Sequence, residues 1–213
     1  MEAGDGLATG PDGLARCWWG GSDPLYIEYH DHEWGRPELG DRRLFGKLCL
    51  EGFQSGLSWL IILRKRENFR AAFAGFDFER VARFHDGDVE RLLGDAGIVR
   101  NRPKILATIN NARRCSDLVD EFGSLAAYFW SYEPDPAQRP DPLDWSTMVG
   151  LGVSPEATAM SKDLKKRGWA FVGPTTVHSA MESCGLINNH VTGCFARDEV
   201  TKERSELRRP ERS

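Results

Sequence analysis

The sequence lacks any run of about 18 apolar residues, the length a membrane span needs. Its longest apolar stretch, Leu57 to Leu63, is interrupted by Ser58 and ends at Arg64-Lys65-Arg66. A spanning helix is therefore not expected. Cysteine is sparse, and the five present are an odd number in a chain whose start carries no export signal, which argues against a disulfide framework and for thiols or metal ligands. Positive charge is not in excess: 28 Lys and Arg face 32 Asp and Glu, for a net charge of −4 and a pI near 5.8. That balance disfavours a protein held chiefly by nucleic-acid phosphates unless a local basic face overrides it. There is no phosphate-cradling glycine loop and no dinucleotide fingerprint. Nor is there an alternating strand pattern longer than a few residues, so the expected fold is all-α.

The first sixteen residues are glycine-rich, with neither a charged n-region nor an apolar h-region, and read as a loose tail (1–16) on a cytoplasmic protein. A single helical domain is expected over 17–197, followed by a polar, flexible tail over 198–213. A hydrophobic content of 40% is enough for a core.

What is abundant is aromatic, and it is concentrated. Between Cys17 and Trp34 lie three of the seven Trp, two Tyr, two His and one Cys. Such a segment can be a lid over the core or a cage for a flat or cationic ligand, and the density favours the cage. A second unusual stretch is Leu48-Cys49-Leu50-Glu51-Gly52-Phe53, where one carboxylate interrupts an apolar helical run. Helical spacing puts Glu51 near the Leu44/Leu48 side, so it is either a partnered core acid or a binding-site acid. Gly52 and Gly56 allow close backbone approach, and Trp59 adds a flat surface.

Two helices are expected between Asp41 and about Phe73, broken near Gly52, the second apolar nearly all round over Leu57–Leu63 and hence central. Asp77 and Asp86 are expected N-caps, and Pro103 the first position of a helix carrying Ile105, Ile109 and Ala112. Gly123 is a stop and Ser124 a start. Glu133 to Asp144 holds four of the eleven prolines and reads as a surface loop. Ser154-Pro155-Glu156 opens a helix that Gly168 closes, and Pro174 begins another. This helix–turn–helix, about 155–184, is either an ordinary helical hairpin or one whose second helix offers first-turn N–H groups to a phosphate. His190 and Cys194 stand at i and i+4, on one face if helical. Two further ligands would close a tetrahedral zinc site, and Cys17 and His30 are the candidates, although the spacing matches no compact finger pattern.

Taken in order, Cys17…Trp19, DPLYIEYHDHEWG (Asp23 to Gly35), LCLEGFQSGLSW (Leu48 to Trp59), KRENFRAAF (Lys65 to Phe73), DAGIVRNRPKI (Asp95 to Ile105), LKKRGWAFVGPTT (Leu164 to Thr176) and CGLINNHVTGC (Cys184 to Cys194) resemble the bacterial 3-methyladenine DNA glycosylase I (Tag) family. The resemblance implies a helix-hairpin-helix glycosylase, working as a monomer, that flips 3-methyladenine out of alkylated double-stranded DNA. It would hydrolyse the N-glycosidic bond to leave an abasic site and the free base. It implies catalytic roles for Glu51 and Tyr29, base contacts from Trp19, Tyr26, Trp34 and Trp59, DNA-backbone contacts at Gly173, Thr175 and Lys166, and a structural Zn²⁺ on Cys17, His30, His190 and Cys194. The sequence departs from the family pattern at Asn189, where Asp is usual, and at His178 and Ala180, where larger aromatics are usual; residues 133–160 match poorly. The first departure bears on the surroundings of the zinc site, the other two on packing behind the hairpin. A different class also fits the same residues: a zinc-stapled aromatic cage that binds modified bases without cleaving them. Release of free base separates the two.

Overall fold

The computed structural model describes residues 6–21 and 23–211. The described chain begins with a β-hairpin, β1 (Leu7–Thr9) antiparallel to β2 (Ala15–Cys17), Leu7 opposite Cys17. Helices follow: α1 (Pro24–His32), α2 (Asp41–Gln54), α3 (Trp59–Ala72), α4 (Phe78–Val81), α5 (Asp86–Gly94) and α6 (Arg102–Phe122). Then come α7 (Leu125–Trp130), α8 (Trp145–Leu151), α9 (Pro155–Lys166), α10 (Pro174–Ser183) and α11 (Phe195–Glu206). Among the described residues no helix is long and apolar enough to cross a membrane.

The described chain is mostly helical, as expected, with corrections at the two-stranded hairpin, the C-terminal segment and the central helix. Leu7–Thr9 and Ala15–Cys17 pair as strands where a loose tail was expected, and Trp18 N–H donates to Gly6 O at 2.9 Å, extending the hairpin beyond the Leu7/Cys17 pair. Met1–Asp5 lie outside the described residues. The expected polar C-terminal tail is likewise corrected, because residues 198–206 continue α11. Arg36 holds Glu199 and Glu203 on that helix, while Arg204 and Arg209 both clasp Glu133 at 2.7–2.9 Å. Both segments are too polar or too short to show a period; tertiary ion pairs and the Cys/His cluster fix them.

The central helix is α2, not α3. From Leu44 to Phe53 every α2 residue except Lys47 is buried, whereas Ile61 on α3 is 40% exposed and only Ile62, Leu63, Phe69 and Ala72 are covered. The apolar run of Leu57–Leu63 is too short to enclose a helix, and Leu57 lies before α3 begins. α2 packs against α3, α6, α7 and α10. Its C-terminus is closed by a buried cation: Lys104 Nζ donates to Phe53 O at 2.8 Å and Ser55 O at 2.6 Å, meeting carbonyls that helix ends leave unpaired.

The start signals mostly hold. The side chains of Asp77, Asn101, Ser124 and Ser154 accept from first-turn N–H groups, and Gly123 ends α6 in the left-handed region at φ 82°. At α5 the cap is His85, one residue before the expected Asp86; its ring accepts from Gly87 N while Asp88 reaches back to His85 N.

The α9–α10 hairpin is pinned to α6 and α2. Asn111 donates to Ala170 O at 2.8 Å and accepts from Ala170 N at 2.9 Å; Ser161 donates to Val172 O at 2.7 Å. A Cβ at Gly52 would meet Phe171 O at 3.4 Å, so the missing side chain lets the hairpin turn sit against α2 one residue from Glu51.

Candidate active site

Trp19, Tyr26, Tyr29, Trp34, Glu51 and Trp59, six residues from four segments, line one cavity of about 300 Å³. α1 presents Tyr26 and Tyr29, α2 presents Glu51, and the first residue of α3 is Trp59. Trp19 meets Trp34 edge-on with ring centres 4.8 Å apart, and Tyr29 and Trp59 lie 5.4 Å apart at 45°. These contacts give flat walls of fixed orientation. Trp59 Nε1 is buried without a hydrogen-bond partner among the described residues, a cost a ligand acceptor could relieve.

Glu51 is 6% exposed and has no hydrogen bond or ion pair among the described residues. Burial pushes its carboxyl up to about 8, with the Lys47 ammonium pulling against that and the Glu182 carboxylate adding to it. Lys47 Nζ donates to Ser183 O at 2.9 Å and lies 5.5 Å from the Tyr29 ring centre. Tyr29 is fully enclosed, and burial raises its hydroxyl pKa, with the Glu51 charge adding to the shift.

Reading the sequence alone missed Gln54, Trp145, Met148, Ser179 and Glu182, which share the cavity wall. Ser179 and Glu182 are three apart on α10, a spacing that places them on one face, but nothing in the sequence says that this face meets Glu51. Trp145 and Met148 lie on α8, at the edge of the proline-rich stretch where pattern was weakest. A larger cavity of about 400 Å³ shares Tyr29 and Trp59 as walls. Its arginines Arg36, Arg42, Arg43, Arg66 and Arg70 are each engaged by a carboxylate, so the aromatic cavity is the one with unpaired chemistry.

Cys17, His30, His190 and Cys194 converge with all ligand atoms within 4.8 Å of one another, and all four are buried. Cys194 Sγ lies 3.5 Å from both His30 Nε2 and His190 Nδ1, and Cys17 Sγ 3.7 Å from His190 Nδ1. A tetrahedral S₂N₂ zinc site has edges of about 3.3–3.8 Å, so the donor set fits such an ion. The rings are oriented for it: His30 Nδ1 meets Asp31 at 2.8 Å, Asp31 is held by Arg16, and His190 Nε2 faces Trp34 O at 3.1 Å. The Cys194 thiol is pulled down by its contact with Cys17 and then by both histidines, which favours thiolate there. His190 and Cys194 are not on a helix, however; they lie in the loop before α11, with Cys194 as its N-cap residue.

The expected backbone-contact residues sit at the hairpin. Gly173 is the N-cap of α10, with open space where a Cβ would be, Thr175 is exposed in the first turn, and Lys166 is exposed at the end of α9. Of the departures, Ala180 is fully buried as a packing residue. His178 is a polar link instead of packing: Ser154 N donates to its Nδ1 at 3.4 Å, and its Nε2 is 3.6 Å from Glu182.

A helical fold with an anchored helix–turn–helix beside an aromatic pocket and a buried acid has the form of a base-recognising DNA glycosylase. The chain belongs to the methyladenine glycosylase family, whose description matches residues 18–197. It is 47% identical over 182 residues to DNA-3-methyladenine glycosylase 1 of Escherichia coli K12, an alignment covering 85% of this chain and 96% of that protein. A crystal structure of 3-methyladenine DNA glycosylase I superposes with a TM-score of 0.76 at 47% identity, covering 84% of this chain and 98% of the other. The Staphylococcus aureus enzyme, solved to show how it recognises 3-methyladenine, superposes with a TM-score of 0.76 at 36% identity, covering 85% and 96%.

Proposed function

We propose that this protein excises 3-methyladenine from alkylated duplex DNA by hydrolysing its N-glycosidic bond, with the aromatic cavity over Glu51 holding the flipped base. A repair glycosylase role for 3-methyladenine follows from family membership. The observation that carries the assignment of the site is that one cavity gathers Trp19, Tyr26, Tyr29, Trp34 and Trp59 around an acid with no protein partner. The non-cleaving cage loses its footing for the same reason of kinship.

In DNA the N3-methylated adenine carries positive charge and is already an activated leaving group. The glycosidic bond breaks with its electron pair going to the base, which neutralises that charge; water adds at the sugar carbon and releases a proton. The protein's work is selection and positioning. Aromatic faces hold a cationic base by stacking and cation–π attraction of roughly 1–3 kcal/mol per good contact. Glu51 faces the base from the cavity floor, and the arriving positive charge draws its raised pKa back down. Tyr29 fixes the other side, pinned by its contact with Lys47. No lysine lines the cavity among the described residues, which supports attack by water without strand cleavage.

The first-turn N–H groups of α10 after Gly173, with Thr175 and Lys166, would hold a DNA phosphate, which reconciles backbone binding with the acidic net charge. Cys17, His30, His190 and Cys194 would hold Zn²⁺. Four protein ligands close the coordination shell, so the ion would cross-link and take no part in hydrolysis. The test is chromatography of bases released from methylated duplex DNA without added cofactor: 3-methyladenine is expected above the no-enzyme level, and its absence would refute the assignment.

A further inference from the structure

Glu182 is a second carboxylate in the base cavity. It stands on α10, opposite the Glu51 of α2, and its side chain is 19% exposed. Both contacts that hold it converge on one oxygen: the Asn189 amide donates to Oε1, and His178 Nε2 lies 3.6 Å from that same atom. Asn189 is in turn fixed by the Arg139 guanidinium, which donates to its Oδ1. Among the described residues Oε2 has no hydrogen bond. The carboxylate is thus gripped from behind by one oxygen while the other remains available to the cavity.

Charge decides what this arrangement does. Glu51, desolvated and facing Glu182, resists ionising until a cation arrives, so a second carboxylate oxygen open to the cavity adds to the attraction for a cationic base. The groups facing the pair are Lys47 on α2, Tyr29 on α1, His178 on α10, Cys184 at its end, and Arg139 beyond Asn189. Of these, none presents a second anion to the base. We infer that Glu182 is a specificity-determining residue, whose free oxygen adds a negative charge, beside that of Glu51, that favours a cationic alkylated base over a neutral one. This rests on the excision reading above.

Glu182→Gln keeps an acceptor for the Asn189 amide while removing the charge. In the full chain, single-turnover excision of 3-methyladenine from methylated duplex should fall about tenfold, the scale of one charged contact. Inhibition by free adenine, a neutral base, should stay within about twofold, affinity for undamaged duplex should not move, and Glu182→Asp should recover most of the loss. Unchanged excision by Glu182→Gln while the wild type is active would overturn the inference alone. An equal loss toward the neutral base, or a fall in melting temperature that explains the lost activity, would assign Glu182 a structural role instead. No excision by the wild type would remove the glycosylase reading and this inference together.

Discussion

At the scale of single residues, Glu51 is where stability and chemistry oppose each other. Its folded carboxyl is raised from 4.5 to about 8, so below pH 4.5 it is protonated folded or unfolded and contributes nothing to the balance. As pH rises the unfolded chain ionises first, and the fold loses stability until the folded pKa is passed. Glu51→Gln escapes this. Its unfolding free energy should match the wild type near pH 4 and exceed it by a few kcal/mol at pH 8 and above, read from urea curves at the two pH values. The same change should weaken excision by roughly 1–3 kcal/mol, because the charge that answers the base is gone. A variant that is much less stable at pH 8 with intact excision would make Glu51 half of a structural pair and overturn its place in the pocket.

At the scale of elements, the hairpin of α9 and α10 gives a prediction with opposite signs for fold and binding. Gly173 has extended backbone angles, φ −62° and ψ 160°, and open space at its Cβ position, so Gly173→Asp fits and caps α10 better than glycine does. It also sets a carboxylate where a phosphate would dock. Melting temperature should hold or rise, while affinity for undamaged duplex falls by about 1–2 kcal/mol with a shallower salt dependence. Unaltered DNA affinity would move the backbone contact elsewhere. These helices were legible because their ends are written locally, by Ser154-Pro155, Gly168 and Gly173-Pro174. Glu51 was legible because a lone acid in an apolar run is costly. β1 and β2 were not, since three residues each are too few to show an alternation, and α11 was not, since Arg36 and Glu133, which hold it, lie far away in sequence. Glu182 was missed for a related reason: its identity as a pocket acid depends on α10 packing across α2, a contact no local pattern records. The apolar run of α3 misled because all-round hydrophobicity over two turns also describes a helix half at the surface, with Trp59 turned into a cavity.

At the scale of the whole molecule, the Cys/His cluster ties both ends of the chain to the walls of the base cavity. Cys17 closes the N-terminal hairpin, His30 stands in the last turn of α1, and His190 and Cys194 bring in the segment leading to α11. The cavity's indoles lean on those ligands: Trp19 sits 5.3 Å from the His30 ring and Trp34 sits 4.7 Å from that of His190. A closed site of this kind contributes folding energy, which is lost when the ion is lost. One zinc per chain should therefore be found by elemental analysis, and Cys194→Ala should lose it. That loss should cost several kcal/mol, lowering the melting temperature by roughly 10 °C in a domain of this size. Because Trp19 and Trp34 are held through the ligands, base binding should weaken in the same variant, whereas hydrolysis of base that does bind should continue, no open position on the ion being needed. A native protein without zinc would refute the metal assignment. A zinc-free variant that keeps its melting temperature and its grip on the base would show that the cavity stands without the cross-link.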